Sequence, residues 1–167
     1  MISGKYIEIR LNTFENNGNI TTANNRKGLV ELVKIIMGLK GSGKTAQLTE
    51  LVRKAVEEEH GDVVCIEQGS RLRYDIPYQV RLIEASQYEF DGYDFLKGFI
   101  SGLHSANYDI THIFIDSVLR IIGALVDGQA EDFFDWCASF SDREGVKFTL
   151  TVSADITLAT DRIKKYF

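Results

Sequence analysis

Eight consecutive residues, Gly38-Leu39-Lys40-Gly41-Ser42-Gly43-Lys44-Thr45, fit the pattern G-x-x-x-x-G-K-[ST] at every fixed position. An apolar run, "LVKIIM" at 32–37, precedes them, and an amphipathic stretch follows. Background residue frequencies would produce the pattern by chance in roughly one chain of this length in two hundred. The flanking strand and helix signals reduce that chance further. Glycines let backbone N–H groups converge on an anion without side-chain obstruction, and a helix N-terminus adds unpaired donors and partial positive charge. The turn therefore reads as a phosphate cradle joining a buried strand to a helix.

From residue 32 onward the pattern alternates. Apolar β-branched runs at 32–37, 63–66 ("VVCI"), 80–84 ("VRLIE"), 111–116 ("THIFID") and 146–152 ("VKFTLTV") predict five buried strands. Between them, helical spacing is expected over 44–59, with Leu48, Leu51, Val52 and Ala55 on one face and Glu50 paired to Lys54. Asp91 is placed to cap a helix burying Phe95, Leu96, Phe99, Ile100 and Leu103. Further helices are predicted from Val118, over Ala130–Asp142 with Phe133, Phe134, Cys137 and Phe140 inward, and as a short amphipathic segment at the C-terminus. Continuous apolar strands separated by helices imply βα units: an α/β fold with a three-layer parallel sheet of about five strands and helices on both faces. Right-handed crossovers then gather ligand sites at the carboxyl ends of the strands.

The 167 residues suit one domain with a real core. Residues 1–31 differ, because "NTFENNGNITTANN" has no apolar period. They are expected to form a poorly ordered extension, with "YIEIRL" able to add an edge strand, while residues 32–167 form the nucleotide-binding domain. A start of the natural chain near Leu32 or Val33 is a further expectation, tested by whether a chain begun at Leu32 folds and binds nucleotide.

The net charge of −5 gives no support to nucleic-acid binding, which draws on a basic face. No stretch reaches the roughly 18 apolar residues of a membrane span, and the N-terminus lacks a secretory apolar core. Cys65 and Cys137 are far apart and lie in apolar patterns, so both read as buried hydrophobes with no disulfide or zinc role. Together these features point to the cytoplasm. The expected partners are a nucleotide and either a second copy of the chain or another protein, without a membrane.

The chemistry can be assigned by position. The cradle comprises Gly38, Leu39, Lys40, Gly41, Ser42, Gly43, Lys44, Thr45 and Ala46, with Lys44 reaching the β- and γ-phosphates. Thr45 and Asp116, the latter closing "HIFID", are the expected Mg²⁺ ligands. Ser117, not Glu, follows Asp116, so an adjacent catalytic carboxylate is missing. Glu67, at the end of the second strand, either orients an attacking water or is an exposed polar residue where strand meets loop. Arg71 and Arg73 either contact a phosphate or acceptor or form a solvated loop. Ser153 and Asp155 either sense a γ-phosphate or cap a helix. His60, His104 and His112 lack metal-ligand spacing, and Lys164 and Lys165 read as surface charge. With no [NT]KxD element, ATP is favoured over GTP as the cofactor, together with Mg²⁺.

On these residues the chain resembles the core of RecA-like ATPases over about residues 32–155. The likeness lies in the P-loop strand, the strand ending in an acidic residue, "IFIDSVLRI" with Asp116-Ser117, and the final strand. The resemblance implies ATP hydrolysis with Glu67 as base. More narrowly, "IIMGLKGSGKT", "RLRYD", "IFID" and "TVSAD" resemble small bacterial ATP-binding proteins often labelled twitching-motility ATPases. Thymidine kinases have a similar opening but carry a four-cysteine zinc element that two cysteines cannot supply. The function expected is therefore a slow Mg·ATPase. The alternatives are a small-molecule or nucleotide kinase gripping its acceptor with Arg71 and Arg73, and a non-hydrolysing nucleotide-gated binding module.

Overall fold

Period-two alternation within each strand decides the architecture. In the computed structural model, which describes residues 32–122, 128–155, 157 and 160, five strands form one parallel sheet. They are β1 (Val33–Gly38), β2 (Asp62–Glu67), β3 (Arg81–Glu84), β4 (Ile110–Ile115) and β5 (Lys147–Ser153). Their spatial order is β1-β5-β4-β2-β3. The helices are α1 (Lys44–Glu58), α2 (Gly92–Ala106), α3 (Val118–Ile122) and α4 (Gln129–Glu144).

The chain moves one way along the sheet from β1 to β2, and back from β3 to β4 and from β4 to β5. Right-handed crossovers running in opposite directions must cover opposite faces, and the two cores show that division. Ile36, Val63, Cys65 and Phe114 pack against Leu48, Val52 and Ala55 of α1. The alternate residues Ile35, Val64, Ile66, Ile113, Ile115 and Leu150 pack against α2, α3 and α4. Both faces are thus dry, which is why the strands read as continuous apolar runs. The expected three-layer α/β class is the observed one, and the two cysteines are free and buried.

Several local expectations need correction. Phe95 is 42% exposed, not inward, and its ring meets Phe90 at a centroid distance of 5.0 Å. Phe99 and Leu103 are only partly buried at the rim, so the apolar stripe of α2 is narrower than its composition suggests. Asp91 occupies the N-cap of α2 but makes no side-chain capping bond. Glu50 pairs with Arg53 and Lys54 with Glu58, because i,i+3 and i,i+4 partners compete on one exposed face. Strand β4 ends at Ile115, so Asp116 is the first residue beyond it. The expected N-terminal extension (residues 1–31), the C-terminal helix, and Lys164 and Lys165 lie outside the described residues. Among the described residues, no helix is long and apolar enough to cross a membrane.

Candidate functional site

Strand β1 hands over to α1 through the glycine turn at the carboxyl edge of the sheet. Gly41 and Gly43 both have φ of +85°, which L side chains rarely adopt. A Cβ on Gly38 would lie 2.7 Å from Ser42 Oγ, so that position needs glycine for close approach. Gly43 is the N-cap of α1 and offers no side-chain cap. The first-turn N–H groups of Lys44, Thr45 and Ala46 consequently have no intrahelical acceptor. Leu39 and Lys40 form the exposed tip of the turn, and Ala46 is exposed on the first turn of the helix.

Lys44 is buried and folds back over the turn. Its ammonium donates to the carbonyls of Gly38 and Leu39, both at 2.8 Å, and more weakly to Ser42 Oγ at 3.4 Å. Burial pulls its pKa down, and the nearby Asp116 charge opposes that shift. All three acceptors are neutral, so the charge has no bonded counter-ion among the described residues.

Asp116 is 1% exposed, yet it is densely bonded. Thr45 Oγ1 donates to its Oδ1 at 3.1 Å and lies 3.4 Å from Oδ2. Thr151 Oγ1 donates to Oδ1 at 2.8 Å and Ser117 Oγ to Oδ2 at 3.2 Å. Ser117 has a φ of 56°, the only left-handed non-glycine among the described residues, and its N–H donates to Thr151 Oγ1 at 2.6 Å. The sequence reading passed over Thr151, although a signal was present. In "KFTLTV", Thr149 and Thr151 alternate with Phe148, Leu150 and Val152, placing two polar residues on one face of a central strand.

Glu67 is not the exposed residue that one of its two readings envisaged. It is 1% exposed, its Oε1 accepts the Leu72 N–H at 2.9 Å, and its Oε2 is buried without a partner. Burial raises its pKa, with Asp116 adding to the rise; the Leu72 and Arg71 backbone bonds and the Arg71 charge oppose it. Arg71 and Arg73 lie on a single 3₁₀ turn, Arg71–Tyr74, where Arg73 pairs with Glu84 of β3. Ser153 stands in register with Gly38. Asp155 accepts bonds from the Thr157 amide and hydroxyl, a local cap.

Thr45 and Asp116 offer only oxygen donors, the class that a hard cation such as Mg²⁺ takes. No cluster of three or more His, Cys, Asp or Glu suited to a metal occurs among the described residues. Two oxygen side chains beside a glycine turn would fit Mg²⁺, which is commonly held by one or two side chains plus substrate phosphates. The fit of a nucleotide rests on the open surroundings of Gly41 and Gly43 and the uncapped first turn of α1.

No family model matches the sequence, and no curated protein matches it. Among solved structures, the chain is similar to the flagellar accessory protein FlaH from Methanocaldococcus jannaschii. The TM-score is 0.51 at 16% identity, over 80% of this chain and 67% of that one. At that identity the likeness is one of fold: an α/β arrangement with a parallel sheet and covering helices.

Proposed function

We propose that the protein binds Mg·ATP in the turn between β1 and α1 and hydrolyses it slowly. The observation that carries this reading is the pairing of the Thr45 hydroxyl with the Asp116 carboxylate beside an uncapped helix start. Two distant segments thereby place oxygen ligands where a phosphate-bound cation belongs.

Mg²⁺, held by Thr45 and Asp116, would neutralise phosphate charge as the reaction proceeds. The amides of the turn and of the first helical turn bind the phosphates. Lys44 exchanges two neutral carbonyl acceptors for phosphate oxygens, a stronger charge-assisted bond. The Thr45 hydroxyl keeps its proton and donates it to Asp116, which leaves a hydroxyl lone pair for the cation. Glu67 orients the attacking water and takes its proton at Oε2, the atom that has no partner.

The kinase alternative is weaker on one specific point: Arg73 is engaged by Glu84, which leaves Arg71 as the only arginine of the pair available to an acceptor. ATP labelled in the γ-phosphate separates the readings. The reading predicts slow release of free phosphate by the full chain. A labelled small molecule formed in a metabolite mixture would overturn it in favour of a kinase. Binding without turnover would mark a nucleotide-gated module.

A further inference from the structure

Strands β1 and β4, which carry the glycine turn and Asp116, are not neighbours. Strand β5 lies between them. Whatever fixes the Asp116 carboxylate relative to Thr45 must therefore act through β5. Thr151 is the β5 residue that bonds Asp116. It is fully buried, stands in register with Ile36 of β1, and follows Leu150, which is in register with Ile115 of β4.

A hydroxyl has one proton and two lone pairs. The Thr151 hydroxyl accepts from the Ser117 amide, so its proton is committed to Asp116 Oδ1. One oxygen atom thus holds both the carboxylate and the left-handed residue that follows it. Left-handed backbone at a non-glycine residue persists only where its surroundings over-determine it. We infer that Thr151 is the positioning residue of the cation site: it orients Asp116, and with it the Thr45–Asp116 pair, without touching the cation. The inference rests on the reading of Thr45 and Asp116 as metal ligands.

Thr149 supplies an internal control. It lies on the same strand and face, is 3% exposed, and its hydroxyl is bonded to His112 Nε2 at 3.0 Å, two residues away from Asp116's partner. A buried threonine with a purely structural role therefore sits beside one with a proposed site role.

The test is Mg²⁺ titration of ATP binding to the full chain, followed by calorimetry, with folding checked by thermal unfolding. Loss of a partner that orients a metal ligand typically costs roughly 10–100-fold in metal affinity. T151V is expected to raise the Mg²⁺ midpoint by about that factor, while its affinity for ATP without Mg²⁺ stays close to the wild-type value. T151S, which keeps the hydroxyl and deletes one methyl, should stay within about threefold of the wild type, as should T149V. A T151V midpoint that stays at the wild-type value overturns the inference. So does a T149V shift as large as that of T151V. Should T151V not fold, T151A, which also removes the hydroxyl, decides: a midpoint raised by roughly tenfold or more supports the inference, and a wild-type midpoint overturns it. D116N separates the two claims. If it leaves the Mg²⁺ midpoint unchanged, the metal reading fails; if it abolishes the dependence while T151V does nothing, only the role of Thr151 fails.

Discussion

Helix α1 has a polar cluster at each end, half-buried at the C-terminal end and buried at the N-terminal end, and the two are built on opposite principles. At its C-terminal end, the Glu59 carboxylate receives Lys147 Nζ at 2.7 Å and lies 3.5 Å from His112 Nδ1. His112 is also bonded to Thr149 and stacked on Phe114 at 4.0 Å between ring centroids. Acid and base meet directly there. At its N-terminal end, the buried carboxylates Asp116 and Glu67 lie near each other, and the Lys44 ammonium near Asp116 bonds only neutral oxygens. One Glu67 oxygen has no partner. The first cluster pairs its charges internally, and His112 Nδ1, which lacks a hydrogen bond, lies against the Glu59 carboxylate. The second carries uncompensated charge and orphaned donors, a condition that costs stability unless something binds.

That contrast can be broken by titration, and the largest effect is expected from His112. Burial pushes its pKa down to about 4, with Glu59 opposing the shift. The unfolded chain then binds the extra proton first as pH falls below the ordinary value near 6.5. Stability should be full above that pH and drop by up to about 3 kcal/mol by pH 4. Denaturant midpoints measured across this range should lose most of that slope in H112Q. A slope unchanged by the substitution would place the acid sensitivity elsewhere.

E59Q tests the internally paired cluster from its other side. Removing one member of a fully buried pair costs roughly 3–5 kcal/mol, and here, with Lys147 reaching solvent, about 2–3 kcal/mol is expected. Urea unfolding measures it. Affinity for ATP should not change, because the 15 residues of α1 separate this cluster from the glycine turn. A parallel fall in ATP affinity would mean that the two ends of α1 are not independent.

E67Q should do the reverse. A carboxylate whose folded pKa is raised destabilises the fold as pH rises through that window, and the deficit persists at neutral pH. Replacing it with a neutral isostere should stabilise the apo protein by about 1 kcal/mol at pH 7, and the gain should vanish in acid. Phosphate release should fall in the same variant. A variant both less stable and fully active would remove Glu67 from the mechanism.

Much of this arrangement was legible in the sequence, for reasons that particular residues make plain. The β1 turn announces itself because only glycine satisfies φ near +85° at positions 41 and 43. The strands announce themselves because burial on both faces demands unbroken apolar runs. Asp116 was legible as the polar residue closing such a run. The exposure of Phe95 was not, since helical period fixes a face but not its width. Nor was the burial of Glu67, which depends on the Leu72 amide folding back through a 3₁₀ turn that carries no periodic signal. Thr151 was only half legible: its alternation with Leu150 and Val152 marks a polar face, but its partner Asp116 depends on strand order, which one chain's pattern does not reveal.

The most direct measurement is calorimetric titration of the full chain with ATP, with and without Mg²⁺, for the wild type and K44A. Saturable binding strengthened by Mg²⁺ is predicted for the wild type. K44A should lose about 1.5–3 kcal/mol of binding free energy, the range for hydrogen bonds to charged groups. At a hundred times Kd, wild-type binding should also stabilise the fold by about 2.7 kcal/mol. An absence of binding with Mg²⁺ present, or full affinity in folded K44A, would contradict the claim that the turn between β1 and α1 is a triphosphate site.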